Sequence, residues 1–224
     1  MTEENTGFLY PFIESEEKDD GSLLTDLAAS AMGKADQSAS LQQTTLAECA
    51  DQIAACAAAM AERFSAGGRM YTCGNGGSST DCTTFATLFA APPGGAGRPL
   101  PALNLTADQA VVTALGNDVG FELIFSRQII AHSGPNDIAV AFSTSGSSRD
   151  LMMALTEAHR RGLLTIGFAG YDGGEMANSD VVDYCFTVKS QSVHRIQESQ
   201  ALVGYRLWLA TQAALPATTS RESA

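Results

Sequence analysis

From residue 69 onward, apolar residues come in short runs, each followed by a polar loop and then a stretch with helical spacing. The runs are RMYTC (69–73), PALNL (101–105), DIAVAF (137–142), LLTIGFAG (163–170) and VVDYCFTV (181–188). Strand-length apolar runs alternating with helical segments predict a mainly parallel sheet covered on both faces, an α/β fold. Ahead of them, SLLTDLAASAM (22–32) and LAECADQIAACAAAMAERF (46–64) carry apolar residues at helical spacing with no internal proline, which predicts two helices before the turn at Gly67 and Gly68. A last helix runs from about Val193 to Leu215 and stops before Pro216.

The ends read differently. Residues 1–22 join an apolar patch, GFLYPFI, to an acidic run, EEKDD, and form an N-terminal arm that is either a solvated tail or a docking segment. Residues 23–215 make one domain, and 216–224 a frayed tail. At 224 residues, 45% hydrophobic and 17% charged, the chain has the composition of a globular protein.

A net charge of -12 disfavours nucleic acid as a partner, and no Lys/Arg stripe interleaved with aromatics offsets it. No apolar run reaches the roughly 18 residues needed to span a bilayer, and no secretory signal opens the chain. The five cysteines are odd in number and contain no CxxC pair. Reduced thiols in a cytoplasmic protein are expected, with no membrane partner.

Two loops have the composition of a phosphate cradle. The first, Gly74-Asn75-Gly76-Gly77-Ser78-Ser79, combines backbone that approaches a ligand closely with hydrogen-bonding side chains. The second, Ser143-Thr144-Ser145-Gly146-Ser147-Ser148, precedes a helix beginning near Arg149, whose N-terminus favours an anion. Either loop alone is as readily a turn or a cap; two at equivalent strand ends point to a phosphorylated sugar as ligand. Neither a GK[ST] ending nor a GxGxxG fingerprint is present.

GNGGS after a strand, GND at 116–118, STSGSS at 143–148, GYDGGEMA at 170–177 and RIQE at 195–198 together resemble the sugar isomerase (SIS) family. The similar branch is that of the phosphoheptose isomerases, with a non-enzymatic relative that associates with the bacterial replication initiator. The resemblance runs from about Leu41 to Gln212. It implies a single flavodoxin-like SIS domain, a five-stranded parallel sheet sandwiched by helices, a homotetramer, and sites formed between subunits. Carried over residue by residue, it places substrate contacts at Asn75, Gly76, Gly77 and Ser78, at Asn117 and Asp118, at Ser143, Thr144, Ser145 and Ser148, and at Gln197.

The same resemblance implies zinc on a histidine and, four residues later, a glutamate in the helix after GNGGS, together with the RIQE glutamine and a later histidine. The glutamate and second histidine would move the proton. The corresponding residues here are Thr84, Leu88, Gln197 and Tyr205. Spacing keeps 84 and 88 on one helix face and 197 and 205 on another. Leu88 accepts no proton, Thr84 is a poor ligand for a transition metal, and Tyr205, with a reference pKa of about 10, is no ready base. The helix after GNGGS thus reads as offering almost nothing that could move a proton, and no family-type zinc site or other cofactor is expected.

Substitute proton-transfer candidates are His194, three residues before Gln197, Asp118, Glu198 and Tyr205. For His194 the plainer role is a helix-terminal histidine bonded to backbone, and for Glu198 a structural partner of Arg195. Asp118 and Glu122 could form a carboxylate pair. His132 and His159 read as surface or capping residues, Met152, Met153 and Trp208 as core or oligomer packing, and GYDGGE as a tight turn. Two functions follow: aldose–ketose isomerisation of a sugar phosphate such as sedoheptulose 7-phosphate, or a non-catalytic phosphosugar sensor or adaptor that binds a protein partner.

Overall fold

The computed structural model describes residues 20–217. Most of the N-terminal arm expected over 1–22, and the tail beyond 217, lie outside the described residues. The chain divides between Ala39 and Ser40. Within the described residues the first unit is helix alone, with Leu24, Leu27 and Met32 exposed. The second holds the sheet.

One long helix, α1 (Asp20–Ser65), replaces the two expected from the sequence. The polar stretch between the apolar segments contains Gly33 but no proline, and a lone glycine costs a helix only about 1 kcal/mol relative to alanine. That penalty weakens a helix without breaking it. Arg63, in its last turn, donates from Nη1 to the carbonyls of Pro135 and Gly162 at 2.6 and 2.9 Å, tying the helix end to two loops of the domain.

The five apolar runs become β1 (Met70–Gly74), β2 (Ala102–Asn104), β3 (Ile138–Phe142), β4 (Leu164–Gly170) and β5 (Tyr184–Val188). They form one sheet of order β2-β1-β3-β4-β5 with every pair parallel. Between them lie α2 (Gly77–Ala90), α3 (Gln109–Asp118), α4 (Ile124–His132), α5 (Arg149–Arg160) and the short α6 (Gly174–Ala177), and α7 (Val193–Ala214) ends the domain. This is the flavodoxin-like α/β order, in which the direction of winding reverses between β1 and β3.

Every residue of β1, β3 and β4 is buried, as a parallel sheet with helices on both faces requires. Alternation along a strand sends Ile138, Val140 and Phe142 to one face and Ala139 and Ala141 to the other. The first face packs on the second half of α1, on α2 and on α7 through Met60, Phe85, Phe89, Leu207 and Trp208. The opposite face packs on α4 and α5 through Phe125, Ile129, Leu151 and Leu155. Met152 is buried, whereas Met153 is 39% exposed and takes no part in the core.

Aromatic rings fill the first face. Phe142 and Phe168 stack at 4.2 Å with planes 4° apart, and Phe85 meets both edge-on at 5.5 and 5.8 Å. All five cysteines are free, four of them buried. Replacing Phe168, fully buried at the centre of this stack, by alanine is expected to cost about 3–5 kcal/mol in urea unfolding. Met153→Ala, on the exposed side of α5, should change stability by less than about 0.5 kcal/mol.

Candidate functional site

Parallel α/β sheets bind ligands beyond the carboxyl ends of the strands, where the winding reverses. Here that point is the β1–β3 boundary. Gly74 lies in register with Phe142, so the loops that follow the two strands, 74–79 and 143–148, start side by side. Sequence separates them by about seventy residues; one ladder of hydrogen bonds brings them together.

In the first loop Gly76 has φ 51° and ψ -126°, a conformation closed to most side chains. A Cβ at Gly77 would stand 2.5 Å from Gln197 Nε2, so the Gln197 amide lies directly against the loop at this glycine. Asn75 points across to the second loop and donates from Nδ2 to both carboxylate oxygens of Asp150, at 3.1 and 2.9 Å. Asp150 is buried in the first turn of α5. The two loops are therefore clamped by a charge-assisted contact.

The second loop is built around Ser143, whose Oγ lies 3.3 Å from Ser145 Oγ and 3.4 Å from Ser148 Oγ and accepts from Gly146 N at 3.0 Å. Ser148 is the N-cap residue of α5, so the hydroxyl cluster sits at the positive end of that helix. Below it, the GYDGGE turn forms a buttress. Met176 N donates to Gly146 O at 2.8 Å and Glu175 N to Ser147 Oγ at 3.0 Å. A Cβ on Gly174 would collide with Ser145 O, so the contact requires glycine. From the other side Gln200 Nε2 donates to Ser143 O at 2.9 Å.

Next to these loops a cavity of about 160 Å³ opens between α2 and α7. It is lined by Asp81, Thr84, Phe85 and Leu88 of α2, by Phe142, and by Gln200, Ala201, Gly204 and Tyr205 of α7. Gly204 permits the close helix approach: a Cβ there would lie 3.1 Å from the Phe85 ring. Thr84 and Tyr205 are exposed, and the Tyr205 ring also lies 5.6 Å from that of Trp208. Gln200 is fully buried. Larger grooves lie elsewhere, one along α1 and α7, one beside Pro99–Leu103 and one between Ala96–Arg98 and the end of α7, and Arg206, Arg69 and Arg98 are the charged groups lining them.

The four positions at which the resemblance implies zinc do not assemble a transition-metal donor set. Leu88 offers no donor atom, Thr84 a neutral hydroxyl, Gln197 an amide and Tyr205 a phenol, so the imidazole, thiolate and carboxylate groups that ordinarily hold zinc are all missing from these four positions. Among the described residues no group of three or more His, Cys, Asp or Glu is placed to hold a metal ion.

One residue corrects the expectation that α2 has nothing to move a proton. Asp81, three residues before Thr84 and seven before Leu88, shares their face and lines the cavity. Its Oδ2 is buried with no hydrogen-bond partner, and so is Oε1 of Gln200. Burial pushes the Asp81 carboxyl above its ordinary range. The signal was available as the lone acid of GSSTDCTTFATLF at helical spacing from Thr84 and Leu88. That the helix face would close over it was not.

The other candidates lie elsewhere. Asn117 and Asp118 occupy the exposed last turn of α3, where Asn117 Nδ2 donates to Asp118 Oδ1 at 2.6 Å. The cap of that helix is Asp108, which accepts from the amides of Ala110 and Val111. His194 and Glu198 are exposed at the start of α7, and neither they nor Asp118 line the cavity. Within one chain, then, the structure joins Asn75, Gly76, Gly77, Ser78, the Ser143–Ser148 loop and Gln197 around the strand ends, with Tyr205 lining the adjoining cavity.

Comparison with known proteins agrees with this architecture. A family model for the SIS domain matches residues 35–170. A phosphoheptose isomerase of Rhodospirillum rubrum is 40% identical over 162 residues, 72% of this chain and 85% of the relative. The structure of a phosphoheptose isomerase from Francisella tularensis superposes with a TM-score of 0.75 at 29% identity, covering 83% of this chain and 98% of that one. One from Neisseria gonorrhoeae gives 0.71 at 30% identity, covering 83% and 96%. No helix among the described residues is long and apolar enough to cross a membrane. The family model over residues 35–170, the identity shared over most of the chain and the common fold together establish that the chain belongs to the SIS-domain family.

Proposed function

We propose that this protein binds a phosphorylated sugar at the carboxyl ends of β1 and β3 and interconverts its ketose and aldose forms, with sedoheptulose 7-phosphate the first substrate to test. The observation that carries the reading is the clamped pair of loops, Asn75 to Asp150, with a hydroxyl cluster at a helix N-terminus beside a cavity of fragment size. The Ser143, Ser145 and Ser148 hydroxyls and the start of α5 suit the phosphate. Thr144, Ser78 and the Gly76–Gly77 backbone border the same loops, and Gln197 reaches the sugar from α7. Cavity volume near 160 Å³ equals about five waters, room for the carbonyl end of a sugar and not for the whole molecule. The isomerase relatives support the reaction class.

The reading includes no zinc, because the donor set is wrong, and a homotetramer, to which the apolar groove lined by Leu46, Ala50, Ile53, Ala54, Leu209 and Ala210 lends support. Asn117 and Asp118, exposed on α3 and not lining the cavity, would then act from a neighbouring subunit. A second reading, a phosphosugar sensor or adaptor without turnover, is favoured by one specific observation: Leu88 and Thr84 stand where the isomerases are expected to carry their acid–base and metal groups.

Three outcomes are expected. In titration calorimetry with sedoheptulose 7-phosphate, Asn75→Ala should weaken binding by about 10–100-fold, or roughly 1.4–2.8 kcal/mol, because it removes both the loop contact and the partner of a buried carboxylate. Elemental analysis of protein purified without chelator should find zinc well below one atom per subunit. Light scattering after size exclusion should give the mass of four chains; a monomer would remove the intersubunit role of Asn117 and Asp118.

A further inference from the structure

We infer that Asp81 is the catalytic base of this protein, standing on α2 one turn before Thr84 and two turns before Leu88, the positions from which the reaction would be expected to be run. The inference rests on the proposed sugar-phosphate isomerisation and deepens it. Asp81 is the lone carboxylate lining the cavity, and the polar atoms left without partners there, Asp81 Oδ2 and Gln200 Oε1, are both hydrogen-bond acceptors. Two orphaned acceptors in a largely apolar cavity cost stability. A polyhydroxylated chain supplies the missing O–H donors. A carboxylate bonded on one side to a sugar hydroxyl lies against the adjoining C–H, where a base for isomerisation has to be.

The step balances without a co-reactant. From the ketose, Asp81 takes a proton from C1. The C–H electron pair becomes the C1–C2 double bond of an enediol, and the C2 oxygen gains a proton. In the second half the O1–H proton leaves as the C1 carbonyl forms, and the proton held by Asp81 returns to C2. Tyr205, at the exposed side of the same cavity, is placed to exchange the oxygen-borne proton, and Gln200 to orient the hydroxyl. Titratable groups around Asp81 are Tyr205, facing from α7, and Cys82, behind it on α2 and adjacent to Cys73 of β1. Both thiols are held protonated by burial, so the carboxylate is the group able to accept a proton at neutral pH. Desolvation raises its basicity toward that range.

This placement also predicts how a variant behaves apart from catalysis. A carboxyl whose folded pKa lies above its unfolded value of 3.8 favours the fold below that value and disfavours it as pH rises through the folded pKa. Asp81→Asn should therefore melt higher than the parent at pH 7.5, with the difference vanishing toward pH 4.

The experiment is proton NMR in D₂O with sedoheptulose 7-phosphate, fructose 6-phosphate and ribulose 5-phosphate, on the parent, Asp81→Asn, Asp81→Glu and His194→Ala, with calorimetric binding of each sugar alongside. Expected are deuterium exchange at C1 of at least one sugar by the parent, a fall of about 100-fold or more in Asp81→Asn with its affinity kept, partial recovery in Asp81→Glu, and full rate in His194→Ala. The parent's rate should also fall on the acid side with an apparent pKa above the ordinary aspartate range. Exchange undiminished in Asp81→Asn overturns the inference, and so does saturable binding by the parent of any of the three sugars with no exchange. Absence of binding by all three instead removes the sugar-phosphate reading itself, and this inference with it.

Discussion

The parallel pairing of β1 with β3 is the constraint on which the site depends. It sets Gly74 beside Phe142, and everything that could recognise a ligand follows from the two loops starting at adjacent strand ends. Pairing alone leaves loops free to diverge. Asn75 prevents this by donating twice to Asp150, a carboxylate buried at the start of α5, and the GYDGGE turn and Gln200 hold the second loop from below and from the side. Buried charge is costly unless it is bonded, so the clamp cannot be loosened on one side without penalising the other.

Glycine enters this arrangement as a packing requirement more than as flexibility. At 77, 174 and 204 a Cβ would meet Gln197, the second loop and Phe85 respectively. At 174 the obstacle is backbone and cannot yield, whereas Gln197 could swing away from 77 and the Phe85 ring would have to give by a few tenths of an ångström at 204. The cavity between α2 and α7 exists because Gly204 lets the helices approach while Phe85 and Phe142 floor the space between them.

The chain keeps the SIS fold, and the residues around its cavity differ from those the family resemblance implies. The loops, the sheet order and Gln197 retain the form of a phosphosugar site, whereas Thr84, Leu88 and Tyr205 stand where metal-binding and proton-transfer groups were implied. What the cavity holds is the half-buried Asp81, whose partial desolvation raises the energy of its charged form. Such a group opposes folding at neutral pH, and it is also the kind of carboxylate able to take a proton from carbon.

Strand positions, the α/β class and both loops were determined by the sequence alone, because period-two and period-3.6 patterns and glycine-rich strand ends are local properties of the chain. The motifs GNGGS, STSGSS and RIQE carried the family in the same way. Tertiary structure decided what local patterns cannot express. Helix α1 runs unbroken through Gly33 because a single glycine's cost is small against continuous helix formers on both sides. Sequence alone did not single out Asp81, one of whose carboxylate oxygens is shielded between α2 and α7, and the Asn75–Asp150 clamp spans seventy-five residues that only the β1–β3 ladder brings within hydrogen-bond reach. Burial and long-range proximity are properties of the packed chain, and no stretch of sequence contains them.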